Sequence, residues 1–240
     1  MNGNQLKLIA IAAMTIGHVA WVLQPGVDVA WYLIALQTVL RLMVPIMWFF
    51  VAEGCAHTRN IWLYALRMGI FAVVSHFAYY FAFGVPFFGL EGGFMNRTSV
   101  LWPLGLAVLL IAILENTYMS MPVQILVVLG FCVLAFPGDW SCIALLAPVF
   151  LYFQRGNRQV QMIGITVIAA LVAGVGFIIM DWRSALLNVG LALSVPLLMT
   201  YNGERGRWRG MKWLFYIYYP AHLAVCGVLR ILLHGDISLF

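Results

Sequence analysis

The chain of 240 residues carries very little charge: Asp, Glu, Lys and Arg make up 9% of it, whereas 64% of its residues are hydrophobic. A mean hydropathy of +0.98 excludes an ordinary soluble globular domain. Successive apolar stretches of roughly 17–25 residues are the length that α-helices need to cross the hydrocarbon core. The short alternating segments of a transmembrane β-barrel are missing. The sequence therefore predicts an all-α polytopic membrane protein.

Processing, redox and linker signals are missing as well. No small-residue cleavage site follows the first apolar segment, which runs past His18 and is predicted to be the first helix of the mature chain. The four cysteines lack metal-type spacing, so we expect no metal site and interpret them as packing residues. Because internal repeats, low-complexity tracts and long linkers are missing, residues 1–240 are expected to form a single membrane domain.

Hydrophobic segments separated by turn-forming residues predict about nine transmembrane helices. They cover about 6–23, 37–55, 62–83, 99–115, 121–136, 140–154, 160–180, 184–200 and 213–233. The fifth and sixth are short, a length that also suits a partly re-entrant segment.

The net charge of +5 is better explained by membrane topology than by nucleic-acid binding. Cytoplasmic loops of membrane proteins carry an excess of Lys and Arg. With the N-terminus in the cytoplasm, eight basic residues lie on the inner side and two on the outer side, Arg97 and Arg183. The inner set is Lys7, Arg59, Arg155, Arg158, Arg205, Arg207, Arg209 and Lys212. The charges thus predict a cytoplasmic N-terminus and an external C-terminus.

Four polar residues interrupt apolar spans: His18, Arg41, His76 and His222. A charged side chain inside a bilayer is costly unless it faces a partner or a wet cavity, so each is a functional candidate. Helical rise puts His18, Arg41 and His76 in the outer half and His222 near the middle. A single histidine is more simply explained as a hydrogen-bonded contact between helices. His18 and Arg41, at matching depth, favour a catalytic pair of proton acceptor and oxyanion stabiliser.

A second polar layer lies at the inner face, where Glu53 ends the second span and Arg59 and Arg67 follow. Glu53 is predicted to have a structural role, in an ion pair with Arg59 or Arg67 that holds two helix ends together. The basic segment 203–212 lies at the same face. It is explained either by the positive-inside rule and anionic lipid headgroups, or as a docking surface for a phosphorylated cytosolic ligand.

Several sequence patterns match a known family. Lys7 and His18 form K-x10-H, residues 40–60 read LRLMVPIMWFFVAEGCAHTRN, and residues 218–229 read YYPAHLAVCGVL. These patterns resemble the TraX family of membrane acetyltransferases, distantly akin to the acyltransferase-3 group. The matching positions in the last two patterns are Arg41, Pro45, Glu53, Gly54, Thr58, Arg59, Pro220, His222 and Leu223. The resemblance covers roughly 5–110 and 213–233, including the helix at 71–84.

The resemblance implies acetyl transfer from cytosolic acetyl-CoA to an acceptor reached from the membrane or from outside: a pilin-type N-terminus, a glycan or a lipid. It implies that His18 is the general base and that Arg41 orients the acceptor or stabilises the oxyanion. The expected CoA-binding residues are Lys7, Arg59, Arg67, Arg205, Arg207, Arg209 and Lys212. The expected acceptor-pocket residues are His76, His222 and Tyr219. The expected location is the bacterial cytoplasmic membrane.

The chain departs from the family in two places. Gly17 stands where relatives commonly have Asp before the first-helix histidine, and His76 stands where many have Gln. Nine spans are also one fewer than is usual in the acyltransferase-3 group. Two other functions stay open from the sequence. Intramembrane His and Arg also suit a small proton-coupled transporter or channel, and buried polar helix contacts suit a structural or assembly subunit.

Overall fold

The computed structural model describes residues 1–24, 31–84, 98–179, 181–208 and 210–235, with the side chain of Lys212 outside this description. The helices are α1 (Gly3–Leu23), α2 (Trp31–Leu40), α3 (Met43–His57), α4 (Ile61–Phe83), α5 (Leu101–Asn116), α6 (Met121–Ala135), α7 (Ser141–Phe153), α8 (Arg158–Ile179), α9 (Trp182–Val189), α10 (Ser194–Met199) and α11 (Met211–His234). A 3₁₀ turn, Gly190–Leu193, joins α9 to α10.

The prediction of an all-α polytopic membrane protein is confirmed. If α2 is counted with α3, and α9 with α10, the described residues form nine helical segments, the predicted number. Six of the segments in the described ranges are long and apolar enough to cross a membrane: α1, α2–α3, α4, α8, α9–α10 and α11. The other three, α5 to α7, are shorter.

The helices α5 and α7 are shorter than the six segments that are long enough to cross a membrane. Their 16 and 13 residues extend about 24 and 20 Å, against a hydrocarbon core of about 30 Å. Thr98, just before α5, pairs with the α6–α7 turn: its N–H donates to the Pro137 carbonyl (3.1 Å), and its carbonyl accepts from the Asp139 N–H (2.8 Å). The same turn lies close to α1, since Asp139 and Trp140 line one small chamber together with His18.

The second span is broken at Arg41 and Leu42, which was not predicted. Pro45 explains the break, because it cannot donate to the carbonyl of Arg41 and its ring would clash there. The chain compensates with a tighter bond from the Val44 N–H to that carbonyl (3.1 Å). The continuous helix predicted over 37–55 is therefore two helices, and Arg41 lies at their junction.

The predicted helix over 184–200 is broken as well, at the 3₁₀ turn 190–193. Pro196 has the same effect there, because it leaves the Ala192 carbonyl without its helical donor. The two broken spans meet: a Cβ on Gly190 would lie 1.8 Å from the Thr38 carbonyl oxygen. Arg41 also donates a hydrogen bond to Asn188 Oδ1. Glycine at position 190 is thus required for the contact.

The remaining helices enclose α3 and α5. α4 packs between α5 and α11, α3 contacts α1, α5 and α7, and α2 and α8 both pack on α9. Trp48, Leu104 and Leu145 are fully buried in the core. By contrast, among the residues of α6, all of them described, Ala135 is the one that is buried. Apolar side chains elsewhere on α6 face outward, as a lipid-facing helix requires.

Candidate functional site

A cavity of about 820 Å³ lies at the basic end of the bundle, between the N-terminus of α1, the α3–α4 turn, α11 and the segment 201–205. Four basic residues line it: Lys7, Arg59, Arg67 and Arg205. We call it the basic cavity. All four belong to the seven residues predicted to bind CoA. Ligand sites in proteins commonly have volumes of about 300–1,000 Å³, so the cavity has the size of a ligand site.

Two contacts bring the basic segment to this cavity. The N–H groups of Gly3 and Asn4 donate to the carbonyls of Glu204 (2.7 Å) and Arg205 (3.1 Å). These are N–H groups at the start of α1, which have no partner within the helix. Arg205 consequently lies on the same side as Lys7. Arg207 is exposed and is not among the residues lining the cavity.

Two of the predicted CoA-binding side chains, Arg209 and Lys212, lie outside the described residues. The Lys7 ammonium stands 4.8 Å from the centre of the Phe50 ring. A cation held over an aromatic face is stabilised by the quadrupole of the ring. This contact directs Lys7 toward α3 rather than toward solvent.

Glu53 has other partners than the predicted arginines. Its carboxylate accepts from the Tyr201 hydroxyl (3.4 Å) and lies 3.8 Å from His57 Nδ1. In the part of the chain that the structure describes, neither Arg59 nor Arg67 lies within ion-pair distance of Glu53, so the predicted pairing is wrong. The reason is geometric: α3 ends at His57, four residues on, which places that side chain on the same helix face.

Gly54 gives Tyr64 room beside the cavity. A Cβ at position 54 would lie 2.7 Å from the Tyr64 hydroxyl oxygen, closer than atoms tolerate. The Glu-Gly step of the second-helix pattern is thus explained: Glu53 lines the cavity, and Gly54 allows α4 to approach α3. Tyr64 and Tyr216 add aromatic side chains to the lining of the cavity.

Deeper in the bundle, His18 and His222 are joined directly. His18 Nδ1 lies 2.8 Å from His222 Nε2, and the His222 Nδ1 lies 3.1 Å from the Tyr218 carbonyl oxygen. A second link joins the same helices one turn nearer the basic end, where the Tyr218 and Thr15 hydroxyls are 2.7 Å apart. Both His residues therefore project from facing sides of α1 and α11.

A small chamber adjoins this pair. Its volume is about 30 Å³, above the roughly 10–15 Å³ that a cavity needs to hold one water molecule. Its wall comprises Met14, His18, Met43, Val44, Met47, Trp48, Val100, Asp139, Trp140 and Tyr219. We call it the histidine chamber. Of the predicted acceptor-pocket residues, Tyr219 lies in its wall, and His222 contacts it through His18.

Met47 lines both spaces. α3 presents Met43 to the histidine chamber, then Met47, and one turn later Phe50 and Gly54 to the basic cavity. Residues at this spacing lie on one helix face. A single stripe of α3 is therefore a continuous wall from the His18 side to the basic cavity, and the Met47 side chain stands between them.

Asp139 contributes a carboxylate to the chamber wall. It lies in the α6–α7 turn, outside the helical spans, where burial raises the pKa of its carboxyl to about 6 against the opposing effects of Arg41 and the Trp140 backbone N–H. Sequence reasoning missed this residue because Pro-Gly-Asp at 137–139 is typical of an exposed turn. The only signal was the short length of the helices on either side.

Arg41 is not in direct contact with His18. Its guanidinium hydrogen-bonds Asn188 and lies 5.2 Å from the centre of the Trp140 ring. Within the described part of the chain, it is not among the residues lining the histidine chamber. Trp140 and Asp139, which do line it, separate Arg41 from the histidine pair. Arg41 thus lies behind the chamber wall.

The sequence of the chain is similar to those of known proteins. The TraX protein family matches residues 2–230. The chain belongs to the TraX family. A curated relative named "Probable fimbrial assembly protein FimC, serogroup H1", from Dichelobacter nodosus, is 28% identical over 235 residues, covering 92% of each chain. No solved structure matches the chain.

In this TraX protein, His76 is separate from the other two histidines. Its Nδ1 lies 3.0 Å from the Thr98 hydroxyl, and its ring is 4.4 Å from the centre of Tyr80. Thr98 in turn holds the Asp139 backbone. His76 therefore supports the turn that carries Asp139, and its side chain does not line the chamber as the structure describes it.

Gly17 and Arg230 each take part in a hydrogen bond to a backbone carbonyl. Gln37 Nε2 donates to the Gly17 carbonyl (3.1 Å). A Cβ at position 17 would face Gln37 and Leu40, away from His222. Arg230 is buried on α11, 2% exposed, and donates to the Phe81 carbonyl (3.4 Å). It was not singled out from the sequence because it lies near a helix end, where long side chains reach the interface.

No metal site is visible in the part of the chain that the structure describes: no group of three His, Cys, Asp or Glu side chains is arranged there to hold an ion. The free cysteines Cys55 and Cys226 are buried among apolar residues.

Proposed function

We propose that this TraX protein is a membrane acyltransferase that moves an acetyl group from CoA, bound in the basic cavity, to an acceptor that reaches the histidine chamber. The observation that carries the proposal is the shared wall. A cavity lined by four basic residues and a chamber lined by His18 meet at one side chain, Met47. A donor with a charged head and a long thioester arm fits this arrangement.

The head of CoA is assigned to the basic cavity. Its diphosphate and 3′-phosphate match Lys7, Arg59, Arg67 and Arg205, since guanidinium groups bind phosphate through paired N–H donors. The aromatic walls at Tyr64 and Tyr216 suit the adenine ring. The pantetheine arm then follows the α3 stripe past Met47, whose unbranched side chain adapts easily to a neighbour.

The reaction is written with an amine acceptor. The amine nitrogen attacks the thioester carbonyl, His18 takes the proton from that nitrogen, and the tetrahedral intermediate collapses as the C–S bond breaks. The proton passes from His18 to the departing thiolate, which gives CoA thiol and an amide; a hydroxyl acceptor gives an ester in the same way.

Arg41 is proposed to act through the wall. By fixing Trp140 and balancing Asp139 electrostatically, it keeps the chamber shaped and one carboxylate near His18. His76 secures the same turn through Thr98. These roles differ from the sequence-based expectation that Arg41 orients the acceptor or stabilises the oxyanion.

The acceptor is proposed to be a pilin-type N-terminus. The similarity to a protein named for fimbrial assembly supports this choice over a glycan or lipid. The proposed location is a bacterial cytoplasmic membrane, with the basic cavity open to the cytosol, where acetyl-CoA is made, and the α6–α7 turn toward the outside.

Acetyl-CoA binding by the purified protein in nanodiscs tests this assignment. A ligand present at 100 times its Kd stabilises the native state by about 2.7 kcal/mol, which is readily seen as a rise in the unfolding temperature. Arg205→Ala should weaken that rise. Arg207→Ala is the matched control. It removes the same charge only two residues further along the chain, from a side chain that is exposed and does not line the cavity. Equal effects of the two variants, or no stabilisation of the wild type, would contradict the proposal.

A proton-coupled transporter or channel is the second candidate. The observation that favours it is the meeting of two broken spans at Gly190 and Arg41, since transporters build sites from discontinuous helices. It predicts proton or solute flux in proteoliposomes and no stabilisation by CoA. A purely structural subunit predicts neither. Binding and flux measured on the same preparation therefore separate the three functions.

A further inference from the structure

We infer that His222 is a positioning residue that decides which ring nitrogen of His18 is free to accept a proton. It acts by occupying Nδ1 of His18, so that Nε2 is the basic nitrogen. The inference rests on the proposed function for its consequence in catalysis. The hydrogen-bond chain that carries it does not depend on that function.

The direction of this series of hydrogen bonds is fixed where it ends, at the Tyr218 carbonyl. His222 Nδ1 lies 3.1 Å from the backbone carbonyl oxygen of Tyr218. A carbonyl oxygen only accepts hydrogen bonds, so Nδ1 of His222 must carry the proton. In a neutral imidazole one nitrogen is a donor and the other an acceptor. Nε2 of His222 is therefore an acceptor.

The second link transmits this constraint to α1. His222 Nε2 is 2.8 Å from His18 Nδ1. Because Nε2 of His222 accepts, Nδ1 of His18 donates, and Nε2 of His18 is left without a proton. The backbone of α11 thus sets the tautomer of a side chain on α1 through one intervening ring.

The surroundings favour two neutral rings over a charged one. His18 contacts the edge of Phe83, and His222 stacks on Tyr218 and meets Tyr219 edge-on. A charge buried among apolar groups without a partner is costly. The one carboxylate in the chamber wall, on Asp139, already has Arg41 beside it. The resting pair is therefore a proton acceptor ready for use.

In the transfer reaction the acceptor's proton goes to His18 Nε2. The imidazolium that forms still donates through Nδ1 to His222 Nε2, so the positive charge develops on a ring that is already hydrogen-bonded. In serine hydrolases a carboxylate orients the catalytic histidine in this way. Here a neutral imidazole has that place.

The experiment is ¹⁵N NMR on the full chain with labelled histidine, which distinguishes protonated from bare ring nitrogens. The chain has five histidines, and His18→Gln identifies the His18 signals by their loss. His222→Gln keeps an amide oxygen able to accept from His18, whereas His222→Leu removes the acceptor. Tyr218→Phe is the control: it deletes the neighbouring hydroxyl contact between α1 and α11 and keeps the Tyr218 carbonyl.

We expect an unprotonated Nε2 on His18 in the wild type, in Tyr218→Phe and in His222→Gln. His222→Leu should lose the preference for this tautomer. Turnover of acetyl-CoA should follow the same order. The kcat of His222→Leu should fall about 10- to 100-fold, within the roughly 10²–10⁴-fold that general base catalysis supplies. Its KM for acetyl-CoA should not change, because the basic cavity is untouched. Partial recovery of kcat in His222→Gln separates positioning from packing.

Protonation of His18 at Nε2 in the wild type would overturn the inference, whatever the activity. So would an unchanged tautomer in His222→Leu. If His222→Leu does not fold, the wild type and His222→Gln decide the question. A wild type with a bare Nε2 and no acetyl-CoA turnover would instead contradict the proposed function and leave the hydrogen-bond chain intact.

Discussion

Met47 is predicted to determine which acyl chains the protein accepts. It is the one side chain that lines both the basic cavity and the histidine chamber in the described part of the chain. The chamber has a volume of about 30 Å³. A chamber this small favours the short acetyl group over a butyryl group, which has two further methylenes. Met47→Ala removes the wall at the point where those methylenes would lie.

The magnitude follows from the chamber size. Forcing extra methylenes into a packed space costs about 1–3 kcal/mol, so the wild type should prefer acetyl-CoA to butyryl-CoA by roughly 5- to 150-fold in kcat/KM. In Met47→Ala two methylenes enter a new apolar space, and each is worth about 0.8 kcal/mol. The gain of about 1.6 kcal/mol corresponds to roughly 15-fold, in favour of butyryl-CoA.

The assay compares kcat/KM for the two thioesters by release of CoA thiol from protein in nanodiscs, with a peptide carrying a free N-terminus as acceptor. Met162→Ala is the matched control: Met162 is 5% exposed on α8 and lies outside both lining sets. It should lose stability without changing the acetyl-to-butyryl ratio. A ratio in Met47→Ala equal to that of the wild type would refute the reasoning.

Two other predictions concern the junction of the broken spans and the catalytic pair. Gly190→Ala should destabilise the protein by about 3 kcal/mol, because the new Cβ would lie 1.8 Å from the Thr38 carbonyl oxygen. Thermal unfolding measures this loss of stability. Gly130→Ala is the control and should have little effect, because a Cβ at position 130 meets open space. The kcat of His18→Ala for acetyl-CoA turnover should fall about 10²–10⁴-fold. The kcat of Arg41→Ala should fall less, because Arg41 lies behind the chamber wall, and this variant should unfold at a lower temperature than the wild type. Wild-type rates in both folded variants would exclude the mechanism.

Much of the fold could be predicted because lipid imposes a simple rule. Every backbone polar group must be satisfied inside the bilayer, so long apolar runs become helices. All nine predicted spans correspond to helical segments in the described residues. The breaks at residues 41–42 and 190–193 were missed. Proline disrupts a helix one turn before itself, and a hydropathy average over the whole span does not register this.

Depth counting placed His18 in the outer half and His222 near the middle of the membrane, and the structure places their rings in hydrogen-bond contact. Helical rise fixes height along the bundle but not rotation about each axis. This is why Arg41, at a similar predicted depth, proves to face Asn188 and Trp140. Asp139 was invisible to this reasoning, because its depth depends on how short α6 and α7 are and on the bridge between Thr98 and Gly138.

The helix α3, which carries most of the second-helix pattern, connects the histidine chamber with the basic cavity. Pro45 breaks the second span, and the break starts α3 in a rotation that points Met43 and Met47 at the histidine chamber. The same face continues as Phe50 and Gly54 along the basic cavity. A straight helix through Arg41 would not be constrained to this rotation. The face of α3 from Met43 to Gly54 therefore runs without interruption from the chamber that His18 lines to the cavity that Lys7, Arg59, Arg67 and Arg205 line.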